Sequence, residues 1–241
     1  MSGTTNLNAS YITANQNQKE VTANAAFDRL DQAATETLAV SVVSANAAPT
    51  QEQVRACALI SVTGASTAGR TVSIPVVKRP IFVMLDSAST KAISVIRTTT
   101  TFTLYPGCVL QLYQDGTSTG LRRIGEFGPM RGVSWVRGVA DNAEIIARWQ
   151  VQEASVLLPD LLGWDVQADT AATGSAAWEV RKNGTAVGTI TFAASGTVPT
   201  LATTGSAAQS FAEGDFIDIK GPATADATLA GIFFHHLLVR A

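Results

Sequence analysis

Charge is scarce in this 241-residue sequence: Asp, Glu, Lys and Arg make up 15% of it. That argues against a disordered chain, which stays expanded on high charge and low hydrophobicity. The net charge of −2, from 17 basic and 19 acidic residues, gives no overall electrostatic reason to expect a nucleic-acid partner. Cysteine is nearly absent. Cys57 lies between Ala56 and Ala58, and Cys108 precedes Val109 and Leu110, so both read as small buried apolar thiols. Their spacing signals no disulfide. The only histidines, His235 and His236, are adjacent. On a strand they point to opposite faces and cannot both ligate one ion; one is expected to pack and the other to face solvent. No metal and no cofactor is expected. No apolar run approaches about 18 residues, so no membrane insertion is expected. Met1–Asn6 lacks the basic and apolar regions of a secretory leader, and none is expected.

What fills the chain is Ala, Val, Thr, Ser and Gly, a mixture suited to short strands and tight turns. Beyond the first 45 residues strand signals recur at short intervals. Leu59–Thr63, Arg70–Pro75, Ile81–Leu85, Ala92–Ile96, Thr101–Tyr105 and Val109–Tyr113 predict one β-domain over about 46–125. Asp115-Gly116 supplies a hairpin turn. Residues 126–141, with Gly128, Pro129, Gly132 and Gly138, read as a linker, and Trp135 within it packs on something. Strands near 144–157, 164–170, 176–182, 186–193, 215–219 and 228–239 predict a second β-domain over 142–241. Asn183-Gly184 between two of them is the clearest hairpin in the chain. The fold class expected is mainly β: a short N-terminal helix followed by two β-sandwich or jelly-roll-like domains.

The helix stands apart. Residues 1–45 read as a polar arm and one helix starting near Gln18, with Ala23, Phe27, Leu30, Ala34 and Thr37 at 4-3-4-3 spacing. Lys19, Glu20, Asp28, Arg29, Asp31 and Glu36 occupy the other sides. So narrow a stripe resembles a coiled-coil seam, spans under three heptads and needs a partner. A lone polar helix ahead of a β-rich body reads as an anchor or assembly element.

Sites for chemistry are few. Gly64–Thr71 has the spacing of a phosphate-binding loop, but strand-like Val72-Ser73-Ile74 follows where such a loop needs a helix N-terminus. No serine stands in a nucleophile elbow, and enzymatic activity is not expected. A pair of carboxylates drawn from distant positions, as glycosidases use, stays open; Asp215 and Asp218 themselves fall on opposite strand faces. Lys78-Arg79 and Arg122-Arg123 read as solvated strand ends. Trp135, Trp149, Trp164 and Trp178 all lie in the C-terminal half; core packing and sugar stacking are both open to them. Residues 39–150 carry 11 basic and 6 acidic groups and residues 151–241 carry 4 and 9. This is an uneven distribution that suits either two distinct domain surfaces or charge complementarity between neighbouring copies.

Tyr11-Ile12, Gln16–Thr22, Asn24 and Ala26–Asp31 resemble the N-terminal module of phage, prophage and gene-transfer-agent structural proteins associated with spikes or fibres. Leu59–Ala65, Gly69–Pro75, Lys78-Arg79 and Leu110–Gly116 look like a β-module of marine-phage fibre proteins. Asn183–Thr191 and Phe211–Asp215 are similar to fibre-tip sandwich domains. The resemblance implies a virion location and a structural protein: a head or tail fibre, spike or decoration protein, displaying β-domains for host-surface or virion contacts. It implies attachment to capsid, portal or tail through an N-terminal segment in which Gln16, Gln18, Lys19, Val21, Ala23, Phe27, Leu30 and Ala34 are the candidate contacts. A homotrimer is expected because fibres commonly trimerise and the Ala/Phe/Leu seam suits bundling. A host-surface glycan is a further candidate partner; the alternatives are a carbohydrate-binding module and a glycan-degrading tailspike. No catalytic residue is carried over.

Overall fold

Glycine and asparagine settle the first local question. At the tip of the hairpin Asn183 and Gly184 have φ of 47° and 87°, the double positive φ that matches a two-residue turn to the twist of its strands. The computed structural model, which describes residues 17–240, is 49% strand and 13% helix. The chain is therefore mainly β with a short N-terminal helix, as its composition requires. Its contacts divide it into two units, Met1–Gly128 and Pro129–Ala241.

In the first unit, α1 (Lys19–Thr35) leads directly into β1 (Thr37–Ser41). After α2 (Gln51–Arg55) come β2 (Leu59–Thr63), β3 (Thr71–Ser73), β4 (Lys78–Leu85), β5 (Ile93–Arg97), β6 (Thr100–Leu104), β7 (Val109–Asp115) and β8 (Leu121–Phe127). One sheet has the order β1-β2-β4-β7-β8 and a smaller one β3-β5-β6. The pairs β1–β2 and β2–β4 are parallel. Ile60, Val62, Val83, Leu85, Leu110 and Leu112 are fully buried on alternating positions, the period-2 pattern of a sheet with one face on a core. Thr50 caps α2 in a capping box with Gln53.

Two sequence expectations need correction here. The described part of 1–45, residues 17–45, is not a module separate from the β-domain. Ala58 and Leu59 donate backbone bonds to the Glu36 carbonyl, and β1 is the edge strand of the larger sheet. Thr37 belongs to that strand, because the helix ends at Thr35. Nor is Arg79 a solvated strand end. It is half-buried, and its guanidinium donates to the carbonyls of Ala33, Val54 and Arg55 at 3.0, 3.1 and 2.6 Å. One side chain thereby ties the ends of α1 and α2 to β4, meeting carbonyls that helix ends leave without backbone partners.

The second unit holds β9 (Pro129–Val139), β10 (Ile145–Gln150), β11 (Ser155–Leu157), β12 (Asp165–Thr170), β13 (Ala176–Lys182), β14 (Thr185–Phe192), β15 (Thr200–Thr203), β16 (Gln209–Phe211), β17 (Phe216–Lys220) and β18 (Ala230–Arg240). They form two sheets, β10-β17-β13-β14-β15 and β12-β18-β11-β16, with β9 also paired to β18. Trp178, Val180, Ile190, Phe192, Ile217, Ile219, Ile232 and Phe234 are buried and drawn from both sheets. That is the pattern of a sandwich core.

The segment expected as a linker, 126–141, is instead the end of β8 and the whole of β9, an 11-residue strand paired along β18. Gly132 is not a chain breaker. It faces His236 across the ladder, and a Cβ there would sit 1.9 Å from the imidazole Cε1. Among the described residues no helix is long and apolar enough to cross a membrane.

Candidate functional site

Two features present side chains to the outside. The first is α1. Its 17 residues span about 25 Å, and none of them is buried. Phe27 is 67% exposed and Leu30 55%. At about 100° per residue, Ala23, Phe27, Leu30 and Ala34 fall within one stripe about 60° wide, whereas Val21 lies about 120° around the axis from Phe27. The expected seam is thus carried by four residues on the structured helix, and Val21 is not among them. Gln18 is the N-cap, with φ of 60° and no side-chain capping bond, and Lys19 opens the helix. Gln16 lies outside the described residues.

The second is a cleft of about 580 Å³ in the Pro129–Ala241 unit, lined by both arms of β9 and β10 and by His236 and Leu238 of β18. Each of those two strands is paired on one side only, β9 to β18 and β10 to β17. The floor is aromatic. Trp149 and His236 stack with centroids 4.2 Å apart and planes 13° apart, and Trp164 tilts against the same imidazole at 5.6 Å. Trp164 is itself fixed by donating Nε1 to the Leu237 carbonyl at 2.9 Å. Ser134 Oγ lies 3.3 Å from His236 Nε2. On the β10 wall Arg148 grips Asp218 with two bonds, of 2.5 and 3.0 Å, and that carboxylate is fully buried. Arg131, Arg148, Ser134 and Gln150 bring guanidinium, hydroxyl and amide groups to the rim, and no acidic residue lines the cleft.

Burial lowers the His236 pKa to about 4, and the neighbouring His235 adds to the effect. A serine and a histidine so placed have the spacing of a nucleophile and its base, yet an imidazole held neutral this firmly is a weak base. Its stacking between Trp149 and Trp164 makes it a wall of the cleft. This pairing of β9 with β18 could not be found from sequence, because Gly132 and Gly138 hid the strand that carries Ser134. As expected, His236 packs and His235 is more exposed. Of the tryptophans, Trp164 and Trp178 are core, Trp149 is half-buried in the cleft, and Trp135 is exposed. Cys57 and Cys108 are both buried. Among the described residues no three His, Cys, Asp or Glu come close enough together to hold a metal ion.

The same unit carries depressed carboxylates. Asp226 accepts backbone bonds from Thr173, Gly174, Thr228 and Leu229, and those to Gly174 and Thr228 lead in holding its pKa far below the usual carboxylate range. Asp215 is lowered first by Asn183 and then by the Ala212 N–H and Lys182. The pH response follows by linkage. His236 is harder to protonate folded than unfolded, so its contribution to stability is full above about 6.5 and falls away as pH drops toward about 4. Asp226 and Asp215 contribute above the ordinary carboxylate pKa of 3.8 and lose that contribution below it. Melting temperature measured against pH is expected to fall in these two steps, and His236→Gln is expected to remove the first alone. A flat profile from pH 7 to 4.5 contradicts the assignment.

A comparison with protein-family models finds no match, and no curated protein matches the chain.

Proposed function

We propose that this chain is a virion structural protein, a fibre, spike or decoration protein of a phage-like particle. In this reading α1 attaches it to a capsid, portal or tail component and clusters it as a homotrimer, while its β-units are displayed. The observation that carries the reading is the bare stripe on α1. Phe27 and Leu30 stand largely in solvent on a helix that buries none of its residues, and an exposed apolar seam of this width is the surface a helical bundle covers. Arg79 and the Arg29–Glu52 ion pair hold the helix on its β-unit, so the seam is presented from a fixed base. The residue resemblance supplies the virion setting.

The cleft between β9 and β10 favours a second role for the displayed part, contact with a saccharide at the host surface. An indole floor and a rim of guanidinium, hydroxyl and amide groups are the recurring furniture of sugar sites.

Location tests the first role. Antibody to the Pro129–Ala241 unit is expected to label purified particles. A chain carrying Phe27→Asp and Leu30→Asp, folded by its melting curve, is expected to be missing from them. Particles equally decorated by that variant would contradict attachment through α1. A glycan array tests the second role, with Trp149→Ala as the control that should lose any signal; release of sugar fragments would turn the reading toward a tailspike.

A further inference from the structure

The outer face of the β9–β18–β12 sheet has an order of its own beyond α1, and at its β9 edge Arg131 and Val133 also border the cleft. Across the ladder, Val133, His235 and Asp165 stand in one row and Trp135, Phe233 and Gln167 in the next. Residues directly opposite in antiparallel strands share a face. Val133, Trp135 and Phe233 are all exposed, Trp135 by 57%. Sandwich strands put their apolar side inward and polar side outward; here the outward side of β9 is apolar as well. Contiguous exposed apolar surface of this kind marks a contact site.

Charge says what covers it. Along β9 this face carries Arg131 and Arg137, and along β12 it carries Asp165 and Asp169. Arg137 lies over the Trp135 ring, 5.2 Å from its centroid. Asp169 leans over Gly231 of β18, where a Cβ would come within 2.3 Å of its carboxylate oxygen. The face is therefore basic at one edge, aromatic and aliphatic in the middle, and acidic at the other edge. We infer that this face is a contact surface between copies of the chain, with the basic β9 edge of one copy against the acidic β12 edge of the next. A surface with both signs at opposite edges is complementary to itself when turned about the strand direction, which sets Arg137 against Asp169 and stacks the Trp135–Phe233 centres. Turned the other way it would set arginine against arginine. A two-fold contact of this kind closes as a pair. It does not depend on α1.

Sedimentation of the full chain over a concentration series tests it. Arg137→Glu and Asp169→Lys each replace attraction by repulsion, and each is expected to move the association midpoint about 10-fold or more to higher concentration. Mixing the two variants restores complementary pairs between different molecules. The mixture is expected to associate more tightly than either variant alone, which a pairing inside one chain could not do. Single variants indistinguishable from wild type, a mixture no tighter than its components, or a wild-type chain that stays monomeric would each overturn the inference. A partner of another kind on this face would show as unchanged self-association. The α1 variant run in parallel separates the two claims: its failure to change the mass leaves this one standing.

Discussion

Trp178→Ala is expected to lower the stability of the Pro129–Ala241 unit by about 3–5 kcal/mol, a large share of what a domain of this size has. Trp178 sits on β13, the central strand of its five-stranded sheet, and is 1% exposed. Its ring meets Phe234 of the facing sheet edge-on at 5.5 Å. Gly221 packs so closely that a Cβ there would lie 3.3 Å from the indole. Alanine leaves a cavity that two hydrogen-bonded sheets cannot collapse to fill. Trp178→Phe separates volume from polarity. The indole Nε1 has no hydrogen-bond partner among the described residues, and a buried unpaired donor costs about 1–3 kcal/mol. Phenylalanine keeps most of the ring and removes that donor, so it should lose much less than alanine. Chemical denaturation reads both variants; equal losses would show that ring volume is not what Trp178 contributes.

Gly132→Ala is expected to disrupt the cleft wall. The new methyl group would fall 1.9 Å from His236 Cε1. The imidazole has little room to retreat, because Trp149 covers its face and Trp164 packs beside it. Overpacking of this sort costs about 1–3 kcal/mol. The imidazole should swing toward solvent, and its pKa should rise from about 4 toward the ordinary 6.5. Proton NMR titration of His236 measures this directly. An unchanged titration in Gly132→Ala would mean that the glycine does not shape the cleft.

That contact also explains where the sequence misleads. The continuous apolar run of β4, the alternation along β7, the Asn183-Gly184 turn and the seam of α1 are local patterns, and all were legible. β9 alternates too: Met130, Gly132, Ser134 and Val136 point one way and Arg131, Val133, Trp135 and Arg137 the other. Its glycines conceal this, and the reason for Gly132 lies on a strand far along the chain, where His236 claims the space. Arg79 is similar. Its ties to Ala33, Val54 and Arg55 are bonds to backbone carbonyls, which no residue pattern announces. The cleft was illegible for the same cause, since Ser134, Arg148, Trp149 and His236 meet only through pairing in two sheets. What could be read without the fold was the helix and its unsatisfied stripe.

Assembly through this stripe can be read from the mass of the full chain in solution. One chain has a mass of 25.1 kDa. The wild-type chain is expected to run as three times that mass. Phe27→Asp with Leu30→Asp, whose sites are exposed and cost the fold little, is expected to run near the single-chain mass at the same dilute concentration. A wild-type chain at the single-chain mass, or an assembly unaffected by the two substitutions, would contradict it.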